Sequence, residues 1–357
     1  MKPAHPIRDI ALQSGLSEAT VDRALHRRGN VSASAVRAVE QAILELDRQA
    51  SQLRLGARTV MLDVVMQAPA RFTRAVRRAL EAEMAWVRPA AVRARFHLRE
   101  HADVAEVVAL IDAVGAGGRT SHGLLLKAPA DPLVVAAVDR AGERGVPVVT
   151  LVTDVPGSRR VAYVGLDNTQ AGAAAAYLLS RWVPAASLPA GPVAVDGPRV
   201  LVTMSRATFL GEQERVQAFV AELTRLRSDL VTHVVTDADG LDATTGALVG
   251  SVLDDHPALE AVYSVGGGNR AILAELDARG RHVSGYVAHD LDDDNVALLR
   301  AGRIEAVIHH DLQSDARRAV RQVLRHHKLV SGAPLTVPAS LEIITRYNIP
   351  ARWIDAG

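Results

Sequence analysis

Cysteine is absent from all 357 residues, which excludes disulfides and thiolate metal sites. Aromatic residues are scarce, at 3%. A long groove that stacks rings along its length is therefore not expected, and a small, enclosed polar pocket is the better expectation. No apolar run approaches the ~18 residues that a membrane-spanning helix needs. The first residues also lack the apolar core of a secretory signal, so the expectation is a soluble cytoplasmic protein without membrane contact. Charge of one sign is missing over the whole chain, whose formal net is +1. It is present locally. Residues 1–58 hold nine Lys/Arg against six Asp/Glu, a net of +3, which is a modest footprint for phosphate contact that a dimer would double.

Hydrophobic residues make up 48%, enough for sizeable cores, and the length asks for two or three domains. The most informative stretch is residues 7–31, IRDIALQSGLSEATVDRALHRRGNV. Ile7, Ile10 and Ala11 recur at helical spacing. Gly15 supplies a turn, and Leu16 points back to the core. Ser17 can cap a second helix, Glu18–Leu25, whose buried side is Val21, Ala24 and Leu25. That leaves Glu18, Ala19, Asp22, Arg23 and His26 on an outward face. A third helix follows Ser32, with Val36, Val39, Ile43 and Leu46 along one side. Two short helices about a tight turn make a helix-turn-helix, whose second helix lies in the major groove of DNA. A generic three-helix packing unit shares that outline, so the order of residues carries the argument.

The string D-I-A-x-x-S-G-L-S-x-A-T-V-x-R-A-L, followed by a helix that opens on Val-Ser, closely resembles the headpiece of the LacI/GalR family of bacterial repressors. Asp9, Ala11, Gly15, Ser17, Thr20, Val21 and Arg23 stand where the family's pattern places them. The resemblance implies a double-stranded DNA operator as partner and a homodimer. Ser17 and Thr20 are expected to touch phosphates near the N-terminus of the second helix. Glu18, Ala19, Asp22 and His26 are expected to face base edges, with Arg23 on the same face.

After residue 58 short β-branched runs alternate with amphipathic stretches. Ten such runs occur, from Val60–Met66 and Val92–Leu98 to Val283–Ala288 and Ala306–His309. Phe72–Trp86, Val104–Val114, Leu133–Glu143 and Glu212–Leu226 read as helices between them. This alternation makes parallel sheets with right-handed crossovers, and ten strands are too many for one sheet. The Pro-, Ala- and Gly-rich stretch Val183–Pro198 reads as an exposed loop. The region resembles the type I periplasmic sugar-binding fold that LacI-type repressors use as a sensor. The matches are PVVTLVTD (147–154), YVGLDNTQAG (163–172), GEQERVQAF (211–219), VYSVGGGNRAI (262–272) and AHDLDDDNVALLRAGRIEAVIHHD (288–311).

The implied fold class is α/β: a three-helix helix-turn-helix domain over 1–50, a hinge or linker over 51–58, and an effector-binding domain over 59–350. The latter would hold two Rossmann-like subdomains, about 59–166 with 311–332 and about 167–310 with 333–350. Ligands sit between such halves, beyond the carboxyl ends of the strands. The strand ends supply Asp154, Arg206, Phe209, Gln213, Arg215, Asn269, His289, Asp290 and His310. Phe72, after the first strand, is the candidate for stacking on a sugar ring. The resemblance implies that Asp290 grips ligand hydroxyls. A position like His310 is often Gln in relatives, and this departure leaves the ligand's identity open.

Gly266-Gly267-Gly268-Asn269 lacks the Lys-Ser/Thr of a phosphate-binding loop. His289, His309, His310 and Asp311 lack metal-ligand spacing, since adjacent residues of a strand point to opposite faces. No nucleophile–base arrangement stands out, so no enzyme activity, metal or cofactor is expected. The linker is the second departure. The family's hinge pattern Asn-x-x-Ala-x-x-Leu, whose Leu wedges the minor groove, has Ser51 for Asn, and Gly56 weakens a helix there. Leu53 or Leu55 is the candidate wedge, or the segment is only a tether. The reading is a ligand-responsive regulator, a repressor, that senses a small sugar or polyol. A transport binding protein and a nucleotide or sugar-phosphate enzyme on the same halves are the alternatives.

Overall fold

Three helices open the chain, and their boundaries follow from single residues. In this computed structural model residues 5–26, 31–55, 59–87, 90–184, 199–256 and 259–353 are described, with side chains omitted over 48–55. Helix α1 (Ile7–Ser14) stops because Gly15 takes φ 68°, a left-handed conformation that costs glycine little. Helix α2 (Glu18–Leu25) starts because the Ser17 hydroxyl accepts the Thr20 N–H at 3.2 Å. Helix α3 (Ala33–Leu55) is amphipathic, and Val39 and Ala42 pack it on Ile10, Ala11 and Val21. Its backbone stays helical through Leu55, so the segment expected as linker begins as a continuation of α3. The Leu53 and Leu55 side chains, and Gly56, lie outside what is described, as does most of the expected loop Val183–Pro198.

The rest of the chain makes two sheets. The first is built from β1 (Thr59–Gln67), α4 (Ala70–Trp86), β2 (Ala91–Arg99), α5 (Val104–Ala113), β3 (Gly123–Lys127), α6 (Pro132–Glu143), β4 (Val148–Leu151) and β5 (Ala162–Val164). Its strand order is β2-β1-β3-β4-β5, all parallel. Helices cover both faces, which is why GLLLK and VVTL are buried at every position rather than alternately.

The second sheet takes α7 (Asn168–Trp182), β6 (Arg199–Thr203), α8 (Leu210–Leu226), β7 (Val231–Val235), α9 (Asp242–Asp255), β8 (Leu259–Ser264), α10 (Asn269–Ala278), β9 (Gly285–His289), α11 (Asp293–Arg300) and β10 (Ala306–His309). After α12 (Leu312–His326) the chain adds β11 (Glu342–Ile344), antiparallel to β10. The order is β11-β10-β9-β8-β6-β7. Strand β11 is not among the ten expected runs; three residues carry too little periodicity to register.

Helix α12 returns to the first half, where Leu312, Ala316, Val320 and Val323 join the core of Val60, Leu62, Val64 and Leu80. In the second half α7 lies close on α8: a Cβ at Gly172 would overlap the Arg215 carbonyl. Phe219 stacks on Tyr263 with ring centroids 4.5 Å apart. Each sheet has its switch in strand order beside its first strand, at β1/β3 and β6/β8. Crevices open there because successive crossovers leave toward opposite faces.

Candidate functional site

Two surfaces match the residues singled out above. On the headpiece, Ser17, Glu18, Ala19, Arg23 and His26 are exposed and Thr20 and Asp22 half-buried, so one side of α2 is presented outward. The Ser17 and Thr20 hydroxyls lie 2.8 Å apart, and Arg23 Nη2 reaches Thr20 Oγ1 at 3.5 Å. His26 Nδ1 lies 2.9 Å from the Asp22 carbonyl and 3.1 Å from Asp22 Oδ1. Both are acceptors, so Nδ1 carries the proton.

The second surface is a cavity of about 60 Å³ at the two switch points, between the halves. From the first half come Phe72 and Arg71 after β1, Lys127 closing β3, and Val152 and Thr153 after β4. From the second come Ser205, Phe209, Glu212 and Arg215 at the β6–α8 junction, Gly266 and Gly267 after β8, and His289, Asp290 and Asp292 at the end of β9. Two of these, Val152 at φ 66° and Asp290 at φ 60°, hold left-handed backbone without being glycine. For a β-branched residue that is a strained position, and strain of this kind collects at binding sites. At Val152 it turns the chain sharply, since Thr153 N–H donates to the Leu151 carbonyl at 2.6 Å. Thr153 Oγ1 can then accept the Gly211 N–H across the cleft at 3.1 Å.

The cleft is bridged at several points. Arg71 donates to the Gly240 carbonyl at 2.5 Å and the Gly266 carbonyl at 3.3 Å, and its Nε pairs with Asp292 at 2.9 Å. This explains the glycine run. A Cβ at Gly267 would overlap the Arg71 guanidinium, and one at Gly266 the Ser205 backbone. Within the run, Gly267 makes room for the bridging arginine.

Asp290 faces a buried histidine. His310 Nε2 lies 3.4 Å from Asp290 Oδ1, too far for a good hydrogen bond, and neither atom has another partner. On its other side His310 Nδ1 bonds Asp315, which Arg318 also holds. Burial opposes charge on His310, but the nearby Asp290 carboxylate and the bond to Asp315 prevail and raise its pKa to about 9. Burial likewise works against an ionised Asp290, and the nearby His310 cation, with the charge of Arg215, overcomes it and holds the carboxyl below the usual range. Asp290 thus remains a carboxylate in the wall of the cavity. His289, held neutral by burial and then by the charge of Arg215, bonds the Tyr263 hydroxyl at 2.7 Å through Nε2. Its Nδ1 has no partner among the described residues.

Of the ten residues expected from sequence, five line the cavity: Phe72, Phe209, Arg215, His289 and Asp290. His310 stands directly behind Asp290. The other four are engaged elsewhere. Asp154 holds a turn: both its oxygens bond Arg160, and Oδ1 also accepts from Thr150 at 2.7 Å and the Val155 N–H at 2.8 Å. Arg206 pairs with Asp239 at 2.9 Å and lies 3.2 Å from His101 Nδ1. Gln213 donates to the Ala207 carbonyl. Asn269 accepts from Tyr286 at 3.0 Å and donates to Asn295 at 2.6 Å, which fixes the loop below Asp290.

Arg71, Lys127, Glu212 and Asp292 were missed. Lys127 had a signal: a lysine that ends the strand GLLLK, in a chain with only three lysines. It is buried, donates to the Gln67 carbonyl at 3.1 Å, and lies 3.6 Å over the Phe209 ring. Among the described residues no group of three or more His, Cys, Asp or Glu is arranged to hold a metal ion, and no helix is long and apolar enough to cross a membrane.

Comparison with known proteins gives two family matches. The profile "Periplasmic binding protein domain" matches residues 64–329, and "Bacterial regulatory proteins, lacI family" matches 6–49. A search of curated proteins finds no match. Among solved structures, a glucose-galactose binding protein from Geobacillus stearothermophilus is similar over 82% of this chain and 99% of its own, at 18% identity and TM-score 0.70. A solute-binding protein from Burkholderia graminis, in complex with D-arabinose, is similar over 82% and 97%, at 18% identity and TM-score 0.70. One from Agrobacterium vitis, bound with α-D-tagatopyranose, is similar over 83% and 99%, at 16% identity and TM-score 0.69. At such identities the likeness establishes the fold.

Proposed function

The chain belongs to the periplasmic binding protein domain family and carries a lacI-family headpiece, the pairing found in LacI/GalR regulators, and from that membership we propose a ligand-responsive repressor. The headpiece binds double-stranded DNA through the outward side of α2. The chain acts as a homodimer in the cytoplasm, and two-fold symmetry gives its operator two half-sites. We read residues 1–50 as the headpiece, 51–58 as the link, and 59–350 as the sensor. Leu53 or Leu55 is the candidate minor-groove wedge. The cavity takes a small polyhydroxylated ligand by binding, without turnover. Asp290 accepts from ligand hydroxyls, Arg215 and His289 donate, and Phe72 and Phe209 cover the apolar face of the ring.

One observation carries this reading: an exposed side of α2 in the same chain as a cavity lined by charged and polar groups from both halves. A ligand that favours the closed arrangement shifts the DNA-binding equilibrium by its difference in affinity for the two states. The neighbours named above include sugar-binding proteins of transport, the main alternative, and the headpiece favours regulation over it. The test is selection of genomic fragments by the full chain, with and without a panel of monosaccharides. Enrichment of a palindromic site that one sugar abolishes or strengthens is the expected result. A chain that selects no fragment but binds a sugar would be a solute-binding protein, and one that consumes the sugar would be an enzyme.

A further inference from the structure

The charges around the cavity do not balance. Arg71 is paired with Asp292, and Arg206 with Asp239, both at 2.9 Å. Asp290 faces the His310 cation, which lies between it and Asp315, and Arg318 matches the charge of Asp315. Glu212 is occupied by donors of its own half: the Ser205 N–H and hydroxyl, each at 2.6 Å, and the Arg206 N–H at 3.4 Å. Two buried cations remain, Lys127 and Arg215. Arg215 spends its Nε on a neutral partner, Asn168 Oδ1, at 2.8 Å. Lys127 has a carbonyl and a ring face, also neutral. Neither has a carboxylate within 4.0 Å among the described residues. Two cations against Glu212 alone leave one positive charge in excess, out of water and facing the cavity. An isolated buried charge is costly, and structures keep one where something binds it.

We propose that the ligand of this cavity is a monosaccharide acid, a polyhydroxylated molecule with a single carboxylate that Lys127 and Arg215 bind together. This rests on the reading of the cavity as the sensor's ligand site. The hydroxyls go to Asp290 and His289, as for a neutral sugar. The carboxylate meets the Lys127 ammonium, which the Phe209 ring holds from below, and the free end of the Arg215 guanidinium. A chain that otherwise uses arginine places one of its three lysines here. A lysine offers a compact point charge that fits under a small ligand, where a guanidinium would fill the space.

The groups that face Lys127 set how binding depends on pH. They are Glu212 and Arg215 on α8, Arg206 just before it, and Asp290 after β9. Burial lowers the pKa of Lys127 to about 8, and Glu212 offsets only part of that. The ammonium is therefore half lost by pH 8, and an anion that needs it binds less well above.

The experiment is calorimetry on the full chain. The probes are D-galacturonate, D-glucuronate and D-gluconate, the matched neutral hexoses, and glucose 6-phosphate. At least one sugar acid should bind ten-fold or more tighter than its neutral counterpart. Lys127→Met should weaken that acid by about 10- to 150-fold, the range for losing a charged hydrogen bond. Its ligand-free melting temperature should not fall, because removing an unpaired buried charge does not destabilise. Affinity of the native chain for the acid should drop about tenfold between pH 7 and pH 9, from a titration near 8. Neutral hexoses that bind as tightly as the acids, acid binding that survives Lys127→Met, or preference for the phosphate would each overturn the proposal. Failure of the regulator reading is separate: it would appear as no DNA retained by the full chain, with these isotherms unchanged.

Discussion

The two candidate surfaces are assembled in different ways. The headpiece face runs from Ser17 to His26 on one short helix, and its orientation is fixed by Val21, which is fully buried on the opposite side. The cavity gathers residues from Ala68 to Asp292, which arrive at the ends of six strands or the starts of the helices that follow. A helix decides locally which side chains face out, because its period is fixed at 3.6 residues. A parallel sheet decides only that strand ends share one edge. Which of the side chains at that edge point into the crevice depends on turns such as the one at Val152.

That difference explains what could be read without coordinates. The exposed residues of α2 followed from periodicity and one cap. Ten strands and the split into two sheets followed from β-branched runs and strand count. Within the cavity, residue type was a poor guide. Asp154 has the chemistry of a ligand-binding acid, but Arg160 lies six residues on and takes both its oxygens. Asn269 follows a glycine run and was a plausible ligand contact, yet it holds Asn295 and Tyr286 in place. Arg71 stands next to Phe72 with no local feature to mark it, and it bridges the halves because only the tertiary fold brings Gly240 and Gly266 to it. Partners distant in sequence leave no local trace.

If the two surfaces are energetically separate, a change in one should leave the other intact. Asp290→Ala tests this most severely. It leaves the buried His310 cation with Asp315 alone and puts a less suitable residue at φ 60°. Breaking a buried pair in this way costs about 3 kcal/mol. We expect calorimetric unfolding of the sensor to shift down by that amount and ligand response to vanish, while the headpiece still retards operator DNA without ligand. Asp290→Asn keeps a side chain that tolerates the left-handed backbone and should lose ligand response with a smaller loss of stability. Loss of operator binding in both variants would show that the regions are not separable.

A smaller effect comes from pH. His310 is raised from 6.5 to about 9, so the stability it adds is complete below pH 6.5 and fades as pH rises toward 9. For a shift of that size the loss between pH 6.5 and pH 8 is about 1.5 kcal/mol. Lys127, His289 and His309 are all lowered by burial first, so their contributions move the opposite way and grow as pH rises. Asp290 and Asp315 are lowered as well, and what they add is lost only in acid. The comparison that isolates His310 is therefore native chain against His310→Gln by chemical denaturation. The stability gap should narrow from pH 6.5 to pH 8, with no change in the headpiece transition. A constant gap would mean that His310 is neutral in the fold.

The smallest effect on overall binding is expected at Asp22, and it concerns what the headpiece reads. An acid on the DNA-facing side of a helix repels phosphate at every sequence. It is useful only where it accepts a hydrogen bond, and the exocyclic amino group of cytosine is the donor that fits it in the major groove. His26 Nδ1–H bonds the Asp22 carbonyl and faces its carboxylate at 3.1 Å, which limits how that side chain can move. Asp22→Asn removes both the repulsion and the charged acceptor. The two changes oppose each other, so total affinity should stay within about threefold. The amide can instead pair with the N6 and N7 edge of adenine, so preference at one base pair of each half-site should move by about 1 kcal/mol, away from C·G. Selection from a randomised operator with both proteins measures this directly, and sugar binding measured on the same variant should be unchanged. Tighter binding to every sequence, with no position altered, would show that Asp22 contributes repulsion alone and that base reading on α2 rests with its neighbours.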